Sequence, residues 1–294
     1  MKVFVKKIGM VGIGLMGHGI ASNLLKHGYR LTVLEHVGNQ PLDQLVAAGA
    51  QTAKTCTQLA SQVDVIILCV TGSPQIEAVL LGDSGLLSGL RSGAIIIDCS
   101  TAIPASTIRM AQAVQAAGGH FVDAPMTRTA KEAAEGRLNL LVGASQKNFA
   151  QCKPILDCFA ENITHAGAVG AGHQMKLLHN FVSLGSATLL AEAAASAKKA
   201  GIDPAVFVDV LGKGGGWGAP LERLKPFILD GDASGLKFSV DNAKKDLTYY
   251  NAMAVDMQAD STVAAAVLAT LDKASEAGQG GVFVPELVRV INER

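Results

Sequence analysis

The sequence predicts an α/β fold in two parts, an N-terminal Rossmann domain with a doubly wound sheet and an all-α C-terminal domain, joined by a long helix. Three observations support this prediction. An apolar run changes into the pattern Gly12-x-Gly14-x-x-Gly17 and then into a helical pattern. Strand and helix patterns alternate up to about residue 165, and from about residue 170 the pattern is almost entirely helical.

Composition limits the possible classes of protein. The chain has 294 residues, of which 49% are hydrophobic and 17% charged, which argues against disorder and leaves room for two domains. We place the N-terminal Rossmann domain at 1–165 and the helical C-terminal domain at 166–294. The formal net charge of zero gives no electrostatic argument for nucleic acid or an anionic membrane as a partner. Glycines interrupt the apolar stretch after the basic start, and no apolar segment reaches about 18 residues, so we expect no signal peptide, no membrane span and a cytoplasmic location.

The predicted strands are mostly continuous apolar runs, as expected for parallel strands that are covered on both faces. They are Ile8–Val11, Leu31–Glu35, Asp64–Val70, Ala94–Cys99, His120–Ala124 and Leu138–Gly143. The helical segments between them include Pro41–Ala48, Thr57–Ser61, Gln75–Val79 and Ala105–Ala117. A glycine-rich linker, 163–172, precedes the long helix, which should end at Gly201.

The glycine pattern predicts a site for the pyrophosphate of a dinucleotide. Gly12 permits a tight turn, Gly14 lets the backbone approach the phosphates, and Gly17 lets the helix pack closely on the strand. The anion would then meet backbone amides at a helix N-terminus, where the helix dipole favours negative charge. The other residues expected to contact the cofactor at this edge of the sheet are Leu15, Met16, Val70, Thr71 and Thr101. The alternative is a glycine-rich turn in an ordinary α/β domain.

Glu35 at the end of the second predicted strand indicates NAD rather than NADP. A carboxylate there can accept hydrogen bonds from both ribose hydroxyls and repels a 2′-phosphate. His36 follows it, and a neutral histidine binds a dianion poorly. Alternatively, Glu35 is a solvated acid at a strand end.

Two strand ends carry residues suited to a small oxygenated, anionic substrate, because ligands bind at the carboxyl ends of strands in such sheets. Ser100 and Thr101 follow the fourth predicted strand, although Asp98 and Ser100 would also suit a helix cap. Thr127, Arg128 and Thr129 follow the fifth, and the arginine offers a fork of donors that matches a carboxylate or sulfonate. Alternatively, Arg128 lies on the surface beside a helix-capping threonine.

The long helix carries the predicted catalytic residues. Lys176, His179 and Asn180 share one face at spacings of three and four residues, and such polar groups on an apolar helix need water, partners or a ligand. A lysine can act as a general acid or base where burial or nearby positive charge, from an oxidised nicotinamide or Lys245, favours its neutral form. The alternative is that Lys176 is an ordinary helix lysine whose long side chain reaches solvent.

Metal and disulfide sites are not expected. The cysteines are five in number with no CxxC pair, and the histidines show no HxH or HExxH spacing. We therefore expect reduced thiols in the protein core.

These motifs together resemble the β-hydroxyacid dehydrogenase family, typified by 3-hydroxyisobutyrate dehydrogenase, over essentially the whole chain. They are the glycine pattern, "DCSTAIP" at 98–104, "DAP" at 123–125, "GAGHQMKLLHN" at 170–180 and "KDL" at 245–247. The resemblance implies a homodimer or homotetramer and reversible hydride transfer between NAD(P) and a 3-hydroxy acid. It also implies proton transfer by Lys176, binding of substrate and lysine by Asn180, and a place for Lys245 beside the cofactor.

Two departures from the family pattern bear on the substrate. Most members continue "DAP" with "VSGG", whereas this chain has residues 126–129 as Met-Thr-Arg-Thr. The arginine and Ser183 resemble the sulfolactaldehyde reductase branch, but His179 does not. The segment "KLLHN" resembles 6-phosphogluconate dehydrogenase, but Ser183 stands where that enzyme has a glutamate, so we expect no decarboxylation.

The favoured function is therefore hydride transfer between NAD and the 3-hydroxyl of a small anionic 3-hydroxy acid, with substrate contacts that include His179 and Ser183. The alternatives are a reductase of a short aldehyde acid such as sulfolactaldehyde or tartronate semialdehyde, and a non-catalytic dinucleotide-sensing module.

Overall fold

The computed structural model describes residues 6–293, and the chain forms two compact units, Met1–Lys176 and Leu177–Arg294. The division falls inside the long helix, and the predicted boundary after residue 165 falls inside a strand. The expected absence of a signal peptide concerns the N-terminus, of which 1–5 lie outside the described residues. No helix within 6–293 is long and apolar enough to cross a membrane.

The first unit contains a nine-stranded sheet with the order β3-β2-β1-β4-β5-β6-β8-β7, in which β9 also pairs with β8. The strands are β1 (Lys7–Val11), β2 (Arg30–Leu34), β3 (Gln51–Ala53), β4 (Val65–Leu68), β5 (Ile95–Asp98), β6 (His120–Asp123), β7 (Met126–Thr127), β8 (Leu138–Gly143) and β9 (Ala160–Gly167). Strands β1 to β6 are parallel. The predicted doubly wound sheet is confirmed.

The helices of this unit lie between the strands along the chain. They are α1 (Leu15–Lys26), α2 (Asp43–Ala47), α3 (Cys56–Gln62), α4 (Ser73–Leu81), α5 (Pro104–Ala116), α6 (Ala130–Glu135) and α7 (Gln146–Leu156). Alternate residues of one strand enter two separate hydrophobic cores: in β4, Val65 and Ile67 pack with one and Ile66 and Leu68 with the other. Burial on both faces is the physical reason why the central strands are continuous apolar runs.

Two expectations from the sequence are wrong in this unit. Strand β8 runs antiparallel to β6 and β7, so the sheet is not parallel throughout. The segment expected as a linker contains the end of β9, which pairs in parallel with β8. Strand β9 has no fully buried side chain, so its pairing depends on backbone hydrogen bonds that leave no apolar pattern in the sequence.

The long helix α8 (Ala171–Lys199) begins in the first unit and continues into the second. The other helices of the second unit are α9 (Pro204–Lys213), α10 (Ala219–Asp230), α11 (Val240–Asp256), α12 (Thr262–Ala274) and α13 (Leu287–Asn292). Their shared core includes Leu184, Leu221, Leu247 and Leu271. The ring of Phe181 stacks on that of Tyr250 with centroids 4.4 Å apart, which packs α8 on α11. The all-α prediction is confirmed.

The five cysteines are free thiols, and Cys99, Cys152 and Cys158 are buried. Burial raises the pKa of Cys69 to about 12 and the pKa of Cys152 to about 11. Both therefore stay protonated and unreactive at neutral pH.

Candidate active site

The glycine pattern forms the turn between β1 and α1, and each glycine has a different spatial role. Gly12 has a φ of +91°, and a Cβ on it would lie 2.2 Å from the carbonyl oxygen of Cys69. A Cβ on Gly17 would lie 2.0 Å from the carbonyl oxygen of Gly12, whereas a Cβ on Gly14 would meet no atom within 4 Å. The turn is thus closely packed on the protein side and open at Gly14, and it fits a pyrophosphate above the N-terminus of α1.

The residue that holds this turn was not predicted from the sequence. Asn39 accepts a hydrogen bond from the backbone N–H of Ile13 through Oδ1 and donates from Nδ2 to the carbonyl of Leu34. The N–H of Gln40 also donates to the carbonyl of Ile13. Asn39 therefore ties the loop after β2 to the glycine turn.

Glu35, directly after β2, lines an open cleft of about 470 Å³. The other lining residues are His36, Val37, Asn39, Gln40, Pro41 and Leu42. The lining includes no lysine or arginine, the cations that bind a 2′-phosphate.

The hydroxyl of Ser100 lies at the end of β5 and accepts a hydrogen bond from the backbone N–H of Val70. The N–H of Ser100 in turn donates to Asp98 Oδ1 at 2.9 Å. Burial raises the pKa of Asp98, and the neighbouring His173 opposes that shift. The predicted substrate loop after β5 and the predicted cofactor loop after β4 are therefore joined by a direct hydrogen bond.

Asp123, at the end of β6, binds the N-terminus of α8. Its fully buried carboxylate accepts from the backbone N–H of Gly170 at 2.7 Å and of His173 at 2.8 Å. These are amide groups that a helix leaves without a partner in its own first turn. Gly143 and Gly172 make room for this carboxylate, since a Cβ on either would lie within 3 Å of its oxygens.

The segment at 127–129 is held by contacts within the first unit. Thr129 caps α6 in a capping box with Glu132, as the alternative interpretation expected. Thr127 Oγ1 accepts from Asn139 Nδ2. Arg128 has a φ of +80°, which is uncommon for a residue with a side chain, and its guanidinium pairs with Glu161 and with the carbonyl of Arg137.

Arg128 lowers the pKa of Glu161 by donating this hydrogen bond. A substrate anion at Arg128 would therefore have to share or replace the Glu161 carboxylate.

Lys176 lies one helical turn after His173 on α8, and its side chain is buried. Asn180 follows one turn later and is also buried, and Ser183 beyond it is half-buried. Burial of a lysine costs free energy unless it serves a partner or a ligand, which distinguishes Lys176 from an ordinary solvent-reaching lysine.

In the second unit, Asn180 has a fixed amide orientation. Its Nδ2 donates to Asp246 Oδ2 on α11, and its Oδ1 lies 2.9 Å from His179 Nδ1. Because the carboxylate only accepts, the amide oxygen faces His179, whose Nδ1 must then carry a hydrogen. Lys245 Nζ lies 3.3 Å from Asp246 Oδ1 and 5.7 Å from the centre of the Tyr249 ring. Asp246 thus links the two residues that were predicted to bind substrate and cofactor.

Asp246 and His173 were not among the predicted site residues, although the sequence contains a signal for each. Asp246 follows Ala243 by three residues and precedes Tyr250 by four, so it lies on the apolar face of α11. His173 lies three residues before Lys176 on the same helix. A charged or polar residue on a buried helix face needs a partner, and both positions have one. Within 6–293 the structure contains no cluster of three or more potential metal ligands.

The Rossmann fold and its open glycine turn define a dinucleotide-binding protein, and comparison with known proteins supports this class. The NAD binding domain of 6-phosphogluconate dehydrogenase matches 7–167. The model described as NAD-binding of NADP-dependent 3-hydroxyisobutyrate dehydrogenase matches 170–291. NAD(P)-binding domains thus cover nearly the whole chain, without distinguishing NAD from NADP.

Individual relatives are similar over most of their length. The chain is 34% identical over 242 residues to 2-(hydroxymethyl)glutarate dehydrogenase of Eubacterium barkeri. This match covers 82% of the chain and 80% of the relative. The chain is 32% identical over 274 residues to 3-sulfolactaldehyde reductase of Escherichia coli K12, with 93% and 91% covered. The solved structure of 3-hydroxyisobutyrate dehydrogenase from Salmonella typhimurium is 28% identical with a TM-score of 0.84, and the match covers 97% of this chain and 99% of that one.

The chain belongs to the β-hydroxyacid dehydrogenase family and is an NAD(P)-linked hydroxyacid oxidoreductase. The resemblance drawn from the motifs is confirmed. The two alternatives, an aldehyde-acid reductase and a non-catalytic sensing module, are not favoured by these relatives.

Proposed function

We propose that the protein oxidises the 3-hydroxyl of a small anionic 3-hydroxy acid similar to 3-hydroxyisobutyrate, with NAD preferred over NADP and without decarboxylation. The observation that carries the proposal is the buried Lys176, one turn before the buried Asn180, in a chain with an open glycine turn. When bound, NAD would supply the acceptor for the hydride of the alcohol carbon. Lys176 takes the hydroxyl proton, and it returns a proton to the oxygen in the reverse reaction.

The cofactor contacts that we propose follow the glycine turn and the adjoining strand ends. The backbone N–H groups at the start of α1 bind the pyrophosphate, and Glu35 accepts hydrogen bonds from the ribose hydroxyls. Preference for NAD is supported by Glu35 and by a cleft lining that contains no lysine or arginine. The proposed cofactor contacts are Gly12, Gly14, Leu15, Met16, Gly17, Glu35, Val70, Thr71, Thr101 and Lys245.

The proposed substrate contacts lie at the strand ends and on α8. Arg128 binds the anionic end of the substrate in place of Glu161, and Asn180 binds the substrate through the amide whose orientation Asp246 sets. The remaining contacts in the proposal are Ser100, Thr101, Thr127, Thr129, His179 and Ser183. The homodimer or homotetramer and the cytoplasmic location remain predictions, and light scattering measures the first.

The test is turnover of a panel of 3-hydroxy acids, followed by NADH absorbance. We expect Lys176→Ala to lower kcat by about 10² to 10⁴-fold, with NADH affinity nearly unchanged. Lys198→Ala, an exposed position on the same helix, is the matched control and should leave kcat unchanged. A Lys176→Ala enzyme that keeps wild-type kcat would refute the assigned role, and failure of the wild type to oxidise any member of the panel would refute the proposed function.

A further inference from the structure

His173 is a fully buried histidine at the start of α8 that connects several strand ends. Its Nε2 lies 3.1 Å from the carbonyl oxygen of Ser100, and its Nδ1 lies 2.8 Å from Thr107 Oγ1 on α5. Its backbone N–H donates to Asp123 Oδ2. One residue thus contacts the loop after β5, the helix α5 and the end of β6.

The chemistry of these partners fixes the orientation of the ring. A carbonyl oxygen only accepts, so Nε2 carries a hydrogen and donates it to Ser100. Thr107 Oγ1 also contacts the carbonyl of Ile103 at 3.2 Å and is itself held in place. Oxygens of Asp98 and Asp123, both buried, lie 3.8 Å from Nε2 and Nδ1 respectively, so carboxylates flank the ring on both sides. A flipped or displaced ring would lose the hydrogen bonds to both Ser100 and Thr107.

These contacts extend to the proposed cofactor and substrate loops. The carbonyl of Ser100 accepts from His173, its N–H donates to Asp98, and its hydroxyl accepts from the N–H of Val70. A continuous set of hydrogen bonds therefore runs from the loop after β4 to the first turn of α8. Lys176 lies on the next turn of the same helix, so a rotation or shift of the first turn would displace it.

We propose that His173 is a positioning residue, which sets Lys176 relative to the Ser100 and Val70 loops through its hydrogen bonds to Ser100 and Thr107. The inference rests on the proposed function in so far as Lys176 is the proton-transfer residue. Its structural part, that the ring holds the first turn of α8, does not depend on any reaction. The charged groups that face the ring are Asp98 from β5 and Asp123 from β6.

Thr107 allows a test that leaves His173 and the proposed catalytic residues in place. Thr107→Val keeps the volume and removes the hydroxyl, whereas Thr107→Ser keeps the hydroxyl and removes a methyl group. Hydrogen–deuterium exchange of peptides that cover 170–176, measured by mass spectrometry without substrate, reports opening of the first turn. We expect about tenfold faster exchange there in Thr107→Val and nearly wild-type exchange in Thr107→Ser, the size expected for one buried hydrogen bond.

The kinetic measurement separates positioning from general stability. Thr107→Val should lower kcat by about tenfold while KM for the cofactor stays near the wild-type value, and Thr107→Ser should restore kcat. The inference is overturned if Thr107→Val and Thr107→Ser exchange alike at 170–176, or if Thr107→Val exchanges faster without a change in kcat. If the wild type oxidises no hydroxy acid, the proposed function fails, and the exchange comparison alone still decides whether the ring holds α8.

Discussion

Asn180 on α8 donates its amide hydrogen to the buried carboxylate of Asp246 on α11. The same carboxylate pairs with Lys245, so a single acid orients an amide proposed to bind substrate and a cation proposed to lie beside the cofactor. Removing one member of such a buried set leaves the other polar groups without the interaction that offsets the cost of their burial. Asp246 therefore shapes the site without being one of the groups predicted to contact the reactants.

Asp246→Ala should lower kcat/KM by about 10 to 100-fold, because hydrogen bonds to charged groups contribute about 1.5–3 kcal/mol. Steady-state kinetics with the best hydroxy acid measures this effect. Asp256→Ala, an exposed aspartate on the same helix, is the control and should have almost no effect. Equal kinetics in the two variants would mean that Asn180 does not depend on Asp246 for its function.

Gly14→Ala should mainly lower the affinity for the dinucleotide, whereas Gly17→Ala should mainly lower the thermal stability. The first adds a methyl group into open space, so we expect a change of no more than about 2 °C in Tm with a large loss of dinucleotide affinity. The second places a methyl group against the carbonyl of Gly12, so Tm should fall by roughly 5 °C or more. Calorimetry and fluorescence titration with NADH measure the two quantities. Unchanged NADH affinity in Gly14→Ala would place the pyrophosphate elsewhere.

The wild type should use NAD better than NADP, as measured by kcat/KM for each. Glu35→Ala should reduce this preference by at least about tenfold, because it removes hydrogen bonds to the ribose and the repulsion of a 2′-phosphate. His36→Ala, the neighbouring change, should reduce it less. A wild type that uses NADP equally well or better would refute the assignment.

Arg128→Ala should raise KM for an anionic substrate by about tenfold or more, with a smaller fall in kcat, if the guanidinium binds the anion. Glu161→Gln should lower KM, because Glu161 competes for the same guanidinium. Arg137→Ala tests the other partner of Glu161 and should leave KM almost unchanged. If Arg128→Ala leaves KM unaltered, Arg128 serves its contacts with Glu161 and the Arg137 carbonyl and does not bind the substrate.

Sequence reasoning succeeded where the determining interactions are local or periodic. Strand β4 is predicted because both of its faces are buried, and Gly12 because its turn requires a positive φ. The sequence predicts a linker at the end of β9, since a strand without a fully buried side chain that pairs through its backbone has no apolar period. The sequence likewise does not predict that β8 is antiparallel, because an apolar run is compatible with either strand orientation.

The fold class, the dinucleotide turn and the shared helix face of Lys176 and Asn180 can be predicted from the sequence, because each depends on patterns within short stretches of chain. The partners of the functional side chains depend on the tertiary structure. Arg128 meets Glu161 across 33 residues, His173 meets Asp123 across 50, and Asn180 meets Asp246 across 66. A buried polar group must find a partner, but its identity depends on which strand ends and helix faces the packed core brings together.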